Sequence, residues 1–504
     1  MHYKQNNNQK HKQIGFWYSL LPIAHCLLPS KKRGALLVPV LVFGAVAAIM
    51  LAGLVQWVGT NVRLVRSTAN RELAFQIAES GLEYYRWHLA HSPGDFQDGT
   101  GMPGPYVHVY RNKDGVAIGQ FLLTITPPVV GSTMVRIRSE GTVRADVKVK
   151  RVLETTLAIP SLAKFAIVNN NSFRIGQGTE VFGPIHTNGG VRFDGLAHNL
   201  VSSALASYKD PDHAGSNEFG VHTHMDPLDP VPPAAVPNRA AIFQAGRQFP
   251  VPAVSFGTFT TDLQQLSTLA QQNGRYFDAS QALGYRLVLK TNDTFDLYKV
   301  LTTASLPNGC PQPSGQTGWG SWSVQTQSFI GNYTVPANGV VFLADHTWVE
   351  GAIDGVRITI AVGHFPENQG QGKSITVNNN LLYTRYDGTD VIGLIAQENV
   401  NVGLVSADTL RVDGAIVAKN GRAGRYYYKP PDTQNRCAPY HARRVITLYG
   451  ALVSNTRYGF AYTDGTGYGT RNIIYDPNLL YGPPPSFPLT SDQYSALTWR
   501  EVKN

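Results

Sequence analysis

Residues 34–62 carry no charged side chain, and within them residues 35–58 read ALLVPVLVFGAVAAIMLAGLVQWV, with 13 positions Leu, Ile, Val or Phe. At about 1.5 Å per residue a helix of this segment crosses a hydrocarbon core of about 30 Å. Each of those side chains favours insertion by roughly 0.3 to 0.6 kcal/mol near the bilayer centre, which outweighs Gln56 and the glycines. Lys31, Lys32 and Arg33 stand directly before the run. By the positive-inside rule they keep the N-terminus cytoplasmic and send everything after Val62 to the far side. A buried helix of a soluble core fits poorly, because such helices seldom run this long without a charge.

The net charge of +9 invites a nucleic-acid reading, but its location decides against one. Six basic and no acidic residues lie in the first 34, leaving 37 basic against 34 acidic over the remainder. A basic end beside an apolar run is a matter of membrane topology, so no nucleic acid is expected as a partner. The 49 Gly, 31 Pro, 24 Tyr and 21 Phe on only 15% charged residues point to turn-rich β structure for the bulk.

After the apolar run the pattern turns two-faced instead of becoming a linker. In residues 71–91, RELAFQIAESGLEYYRWHLAH, the positions Ala74, Ile77, Ala78, Gly81, Leu82, Tyr85 and Leu89 form one helical stripe that requires a partner surface. Ser92, Pro93 and Gly94 then stop the helix. One rod over residues 35–91 is predicted, about 85 Å long at full helical rise.

The KKRG-ALLV junction, the apolar helix and the later AFQIAESGLEYYRWHL together resemble the N-terminus of type IV pilin-like proteins, most closely minor pilins with a PilX-type N-terminal domain. The resemblance covers about 60 residues. It implies a basic leader, residues 1–34, cut by a prepilin peptidase between Gly34 and Ala35, with Ala35 N-methylated as the mature N-terminus. Two departures matter. The fifth mature position, where most of this superfamily carries Glu, is Pro39, and Ala35 replaces the usual Phe. Loss of a carboxylate able to pair with a neighbour's amino terminus favours a rare or tip-located subunit over the bulk fibre subunit. The leader is also long, and its residues 14–28 are apolar, so the true start is placed downstream.

Residues 93–165 alternate apolar and polar over 106–110, 119–125, 133–139 and 141–157, with turn signals at 112–115, Pro127-Pro128 and Glu140-Gly141. Three or four antiparallel strands are predicted, one face packing the helix stripe, with Val143, Val147 and Val149 on one face and Arg144, Lys148 and Lys150 on the other. From residue 166 to 504 short β runs follow. A recurring element of Gly, then Pro, Ala or Leu, then Ile or Leu begins at Gly183, Gly351, Gly393, Gly414 and Gly450. Steps near 21 and 42 residues predict a right-handed parallel β-helix, with a β-sandwich as the competing fold. Asn169–Asn171 and Asn378–Asn380 suit turns, where amides can stack as ladders. Residues 206–256 read as a surface insertion, and residues 261–272 as a helix capped by Thr261 with Leu263, Leu266, Leu269 and Ala270 inward.

Few residues suggest chemistry. Of Cys26, Cys310 and Cys437, the last two survive leader removal and would pair as a disulfide in an oxidising exterior, two separate buried thiols being the alternative. His222, His224 and Asp226 in GVHTHMD alternate so that both imidazoles share a face, but without a third partner in reach they read as solvated, and no metal or other cofactor is assigned. His186 is placed in a coil turn. Thr291 to Thr294, Asp387 and Asp390 read as turn residues without a calcium pattern. Tyr426, Tyr427 and Tyr428 beside Lys429 form an aromatic and basic patch suited to sugars, or packed in a sheet. No catalytic motif is found, and none is assigned.

The expected protein is therefore a non-enzymatic minor pilin or pseudopilin-like subunit of a surface filament. Its partners are the membrane, other pilin subunits with their assembly machinery, the prepilin peptidase, and surface glycans bound by the head. It would reside in the inner or cytoplasmic membrane before assembly and on the cell surface afterwards. The competing readings are a membrane-tethered β-helix carbohydrate-binding protein or enzyme, and a pseudopilin of a secretion or DNA-uptake system.

Overall fold

The computed structural model describes residues 37–256, 259–310, 321–368, 370–428, 436–490 and 493–503. Lys31, Lys32, Arg33, Gly34 and Ala35 lie outside the described residues, as do Cys26 and Lys429. The chain divides into two units, residues 1–69 and 70–504. The first helix, α1 (Leu37–His91), has Pro39 in its opening turn, where a missing N–H costs no hydrogen bond. In the first unit every residue from 37 to 60 is exposed.

In the second unit α1 buries Ala74, Ile77, Ala78, Gly81, Leu82, Tyr85 and Leu89. Its end is fastened by the Ser92 amide on the His88 carbonyl (2.8 Å) and by Asp95, which meets His88 Nε2 at 2.9 Å. The stripe packs on an antiparallel sheet of β1 (Tyr106–Arg111), β2 (Ala117–Thr126), β3 (Val135–Val143) and β4 (Asp146–Ala158), with Leu123, Ile137, Leu153 and Leu157 beneath it. The C-terminal strand Ser495–Val502 pairs antiparallel with β4, so the order is β1-β2-β3-β4 and then the chain's last strand. This corrects the boundary that assigned all of residues 166–504 to the head.

Glu140-Gly141 is not a turn. Gly141 lies within β3, opposite Arg151, and the hairpin turns at Arg144-Ala145. The glycine is needed for close approach: a Cβ there would stand 2.1 Å from the Ala74 carbonyl and 2.5 Å from the Ala78 amide. The shifted turn also breaks the expected facing of the valines, since Val143 is buried whereas Val147, just past the turn, is 67% exposed.

The remainder is a stack of coils joined by parallel ladders, with interior aliphatic side chains in register. Val341, Ile360, Leu394, Ile416, Leu452, Ile167, Ile185 and Val201 form one continuous column across successive strands. A second ladder runs through Ile375, Val400 and Ala423, and a third through Leu381, Val412, Leu448, Ile473, Val181 and Ala197. A sandwich would pair antiparallel strands in two sheets; these parallel ladders exclude it. The spatial order is not the chain order: the coil at 167–169 stacks on 452–454, so the first coils in sequence follow the last. From residue 249 the chain crosses over, and α2 (Phe259–Asn273) lays Leu263, Leu266 and Ala270 against Phe342, Ala361 and Ile395 on the outer side of the first ladder. Leu269 is half-buried, and the helix starts two residues before Thr261, whose side chain lies outside what the structure describes.

The glycine elements are only partly equivalent. Gly414 faces Gly450, but Gly393 faces Ala415, one position out, and Gly351 faces Leu381 in another ladder. Coils of unequal length explain the broken step. Asn170 donates to Asn455 (2.8 Å) and Asn188 to Asn170 (2.8 Å), an amide ladder across three coils. Asn378 and Asn380 instead bond backbone groups at Gly403 and Arg411. Residues 206–256 are not a simple insertion, for Val221-His222 extend the Val191 strand and Arg247-Gln248 the first ladder. The head is joined to the antiparallel sheet by Ser161 Oγ on the Leu479 carbonyl (2.9 Å) and by the Arg357 guanidinium, which binds the carbonyls of Val130, Gly482 and Pro483.

Candidate functional site

Two parts of α1 carry opposite chemistry. Over residues 37–58 the side chains include Leu37 (67% exposed) and Phe43 (75%), and the segment is long and apolar enough to cross a membrane. Gly44, Gly53 and Gly59 leave notches with nothing within 4 Å, and small residues let a second helix approach closely. From Ala74 to Leu89 the stripe is sealed. Gly81 admits Ser139, whose Oγ would stand 2.3 Å from a Cβ there. Phe75 takes the Trp499 ring edge-on at 5.9 Å and the Arg151 guanidinium at 5.4 Å, drawing in the C-terminal strand.

Cys310 and Cys437 are bonded as a disulfide across a sequence separation of 127. It packs with Trp322, Trp348, Tyr426 and Tyr428. Tyr426 stacks on Trp322 at 5.7 Å, and burial pushes its hydroxyl up to about 12. Tyr427 donates to Asp464. Tyr426 and Tyr428 are thus committed to the wall of the solenoid, and of the three tyrosines Tyr427 alone is not buried.

The carboxylates expected to be turn residues behave as such in part. Asp387 bonds Thr389, and its carboxyl is held below the usual range by that hydroxyl and amide. Asp390 is buried, accepting the amides of Val356, Thr384 and Arg385. Asp413, wholly buried, is saturated by the Tyr383 amide, the Tyr386 hydroxyl and the Arg411 guanidinium. Asp476 is raised by burial and bonds the Asn478 amide at the start of a short 3₁₀ turn. His186 sits in the ladder strand Ile185–Thr187, not a turn, with its ring nitrogens at 3.1 Å from Ser202 and Asn188.

The GVHTHMD segment contains a grouping that sequence reasoning missed. Asp226 is exposed and apart, but His222 and His224 meet Asp210, Glu218 and His213. The strand pair Ser207–Tyr208 and Glu218–Phe219 brings the carboxylates in, with Tyr208 opposite Glu218, and Val221-His222 follows directly. Nε2 of His222 lies 3.6 Å from Asp210 Oδ2, Nε2 of His224 lies 3.6 Å from Glu218 Oε1, and Nδ1 of His213 lies 3.3 Å from the same Oε1. Oδ1 of Asp210 accepts the Asp212 amide at 2.9 Å, which leaves Oδ2 toward His222. Burial, with Arg192 nearby, lowers His224. The density of acids and histidines between 210 and 224 was the available signal; the hairpin that folds them together was not foreseen.

No family model matches this chain, and no curated protein does. Among solved structures, the competence-associated pilin ComZ from Thermus thermophilus is similar at 13% identity and a TM-score of 0.30, over 86% of this chain and 98% of that one.

Proposed function

We propose that this chain is a pilin-like subunit of a surface filament, held in the membrane by the apolar half of α1 before assembly and packed by that half among neighbouring subunits afterwards. The carrying observation is the contrast within one helix: residues 37–60 bury nothing, while the stripe from Ala74 to Leu89 is consumed by its own sheet. Leaving so many large aliphatic side chains in water costs about 1.5–3 kcal/mol each, so lipid or other helices must cover them. The disulfide supports an oxidising, extracytoplasmic site for the head. In this reading the head is displayed for adhesion, with surface glycans as ligands, or for assembly, and it has no catalytic role. Prepilin peptidase removes residues 1–34, and Ala35 becomes the methylated N-terminus. Pro39 in place of a carboxylate suits a minor, tip-located subunit.

Sequencing the N-terminus of the mature protein tests the proposal. A start at Ala35 supports pilin processing. An intact leader, or a cut elsewhere, sinks it in favour of a plain membrane anchor.

A further inference from the structure

The His222 and Asp210 pairing is not an ordinary ion pair. His222 is 0% and Asp210 3% exposed, and neither Nε2 of the one nor Oδ2 of the other has a hydrogen-bond partner. His222 Nδ1 faces the Phe219 carbonyl at 3.3 Å, which can only accept, so the ring proton sits on Nδ1. Nε2 then stands 3.6 Å from a carboxylate oxygen, too far for a hydrogen bond and shut off from water. A metal ion held between these two buried, unpartnered ligand atoms would satisfy both. A backbone carbonyl orienting the far ring nitrogen is the usual support of a metal-ligating histidine.

The spacing agrees. Donors sharing a tetrahedral Zn²⁺ at about 2.0–2.1 Å stand about 3.3–3.4 Å apart. Nε2 of His222 and Oδ2 of Asp210 stand 3.6 Å apart. The ligand atoms of Asp210, His222 and His224 all lie within 4.8 Å of one another, as do those of His213, Glu218 and His224. Imidazole and carboxylate together suit Zn²⁺ better than calcium, which takes oxygen ligands. The geometry points to a Zn²⁺ site built by Asp210, His222 and His224, its fourth position open to a water, with Glu218 and His213 grouped on the far side of His224. The ion would clasp the 207–219 hairpin to the coil that carries His222. This holds whether or not the chain assembles into a filament.

The test uses the full chain without a polyhistidine tag, in detergent and stripped by a chelator, titrated with Zn²⁺ by calorimetry and with Co²⁺ by visible absorption. One metal per chain is expected, with a tetrahedral Co²⁺ spectrum. His224→Gln and Asp210→Asn should each weaken binding by more than roughly 100-fold, since losses outside the ligand set alone cost 10–100-fold. His224 is partly exposed, so its variant should keep the wild-type circular dichroism and decides the question if Asp210→Asn does not fold. No saturable binding to the wild type, or unchanged affinity in a folded His224→Gln, overturns the site.

Discussion

The helix-on-sheet core and the solenoid core are both completed by a distant piece of chain, but in opposite ways. At the antiparallel sheet, β1 to β4 are joined by successive hairpins, and the late arrival, Ser495–Val502, adds only an edge. That strand is mostly exposed, with Trp499 at 51%, and is tied by Arg500 to Glu154 and Arg151 to Glu501. In the solenoid the late arrival is internal: the coils at 442–454 and 467–475 are sandwiched between the preceding coils and the early ones at 167–182. Losing the edge strand would leave a helix on four strands, whereas losing the internal coil would split the stack. The first region depends on local contacts and the second on long-range ones, so the second should form more slowly.

The largest effect should come from Gly141→Val. The new side chain would meet helix backbone at Ala74 and Ala78, which cannot give way as a flexible side chain would. A loss of roughly 4 kcal/mol or more is expected, the range reached by unrelieved overpacking. In the detergent-solubilised protein, protease should cut α1 near Arg71 and Arg86 while the head stays resistant. Equal loss of protection in both regions would show that the two cores unfold as one.

Next is the reverse experiment. Cys310→Ser with Cys437→Ser opens a tie between parts of the head 127 residues apart. Destabilisation of about 2–4 kcal/mol is expected by chain entropy. Urea unfolding should shift the head transition and leave protection of α1 unchanged. A shift of α1 instead would place the coupling at the Arg357 and Ser161 junction.

The two regions also differ in how much the sequence disclosed. The stripe from Ala74 to Leu89 was legible because a helix repeats every 3.6 residues, and each of its positions met one surface. Gly141 was misread as a turn because a glycine serving close approach and a glycine serving a bend look alike in one sequence. In the head, interior residues such as Ile416 and Leu452 showed the β texture, and Asn170 the amide ladder. The order of coils was hidden, because Leu452 on Ile167 is a contact that no local period encodes. Asp210 and Glu218 escaped for the same reason: a hairpin turn, not a spacing, brings them to His222 and His224.

The smallest separation of the two regions should come from acid. Burial, with Lys373 adding to it, pushes His346 down to about 4, and its Nδ1 accepts the Ser374 amide at 3.1 Å, a bond that the neutral ring alone can make there. Unfolded, the same imidazole titrates near 6.5. Between those values the unfolded chain binds more protons than the folded one, so head stability rises with pH across the window. It is fully present above 6.5 and lost as pH falls toward 4, by on the order of 2 kcal/mol. Asp345 beside it adds nothing in that window. Its carboxyl is lowered, burial being outweighed by Ser280 and Lys373, so its contribution is lost only as the pH falls below the ordinary carboxylate range. Urea midpoints of the head at pH 7 and pH 4.5 should therefore differ in the wild type and differ less in His346→Gln, the remainder coming from His186 and His224, whose imidazoles burial also lowers. An undiminished difference in that variant would move the acid sensitivity to other groups.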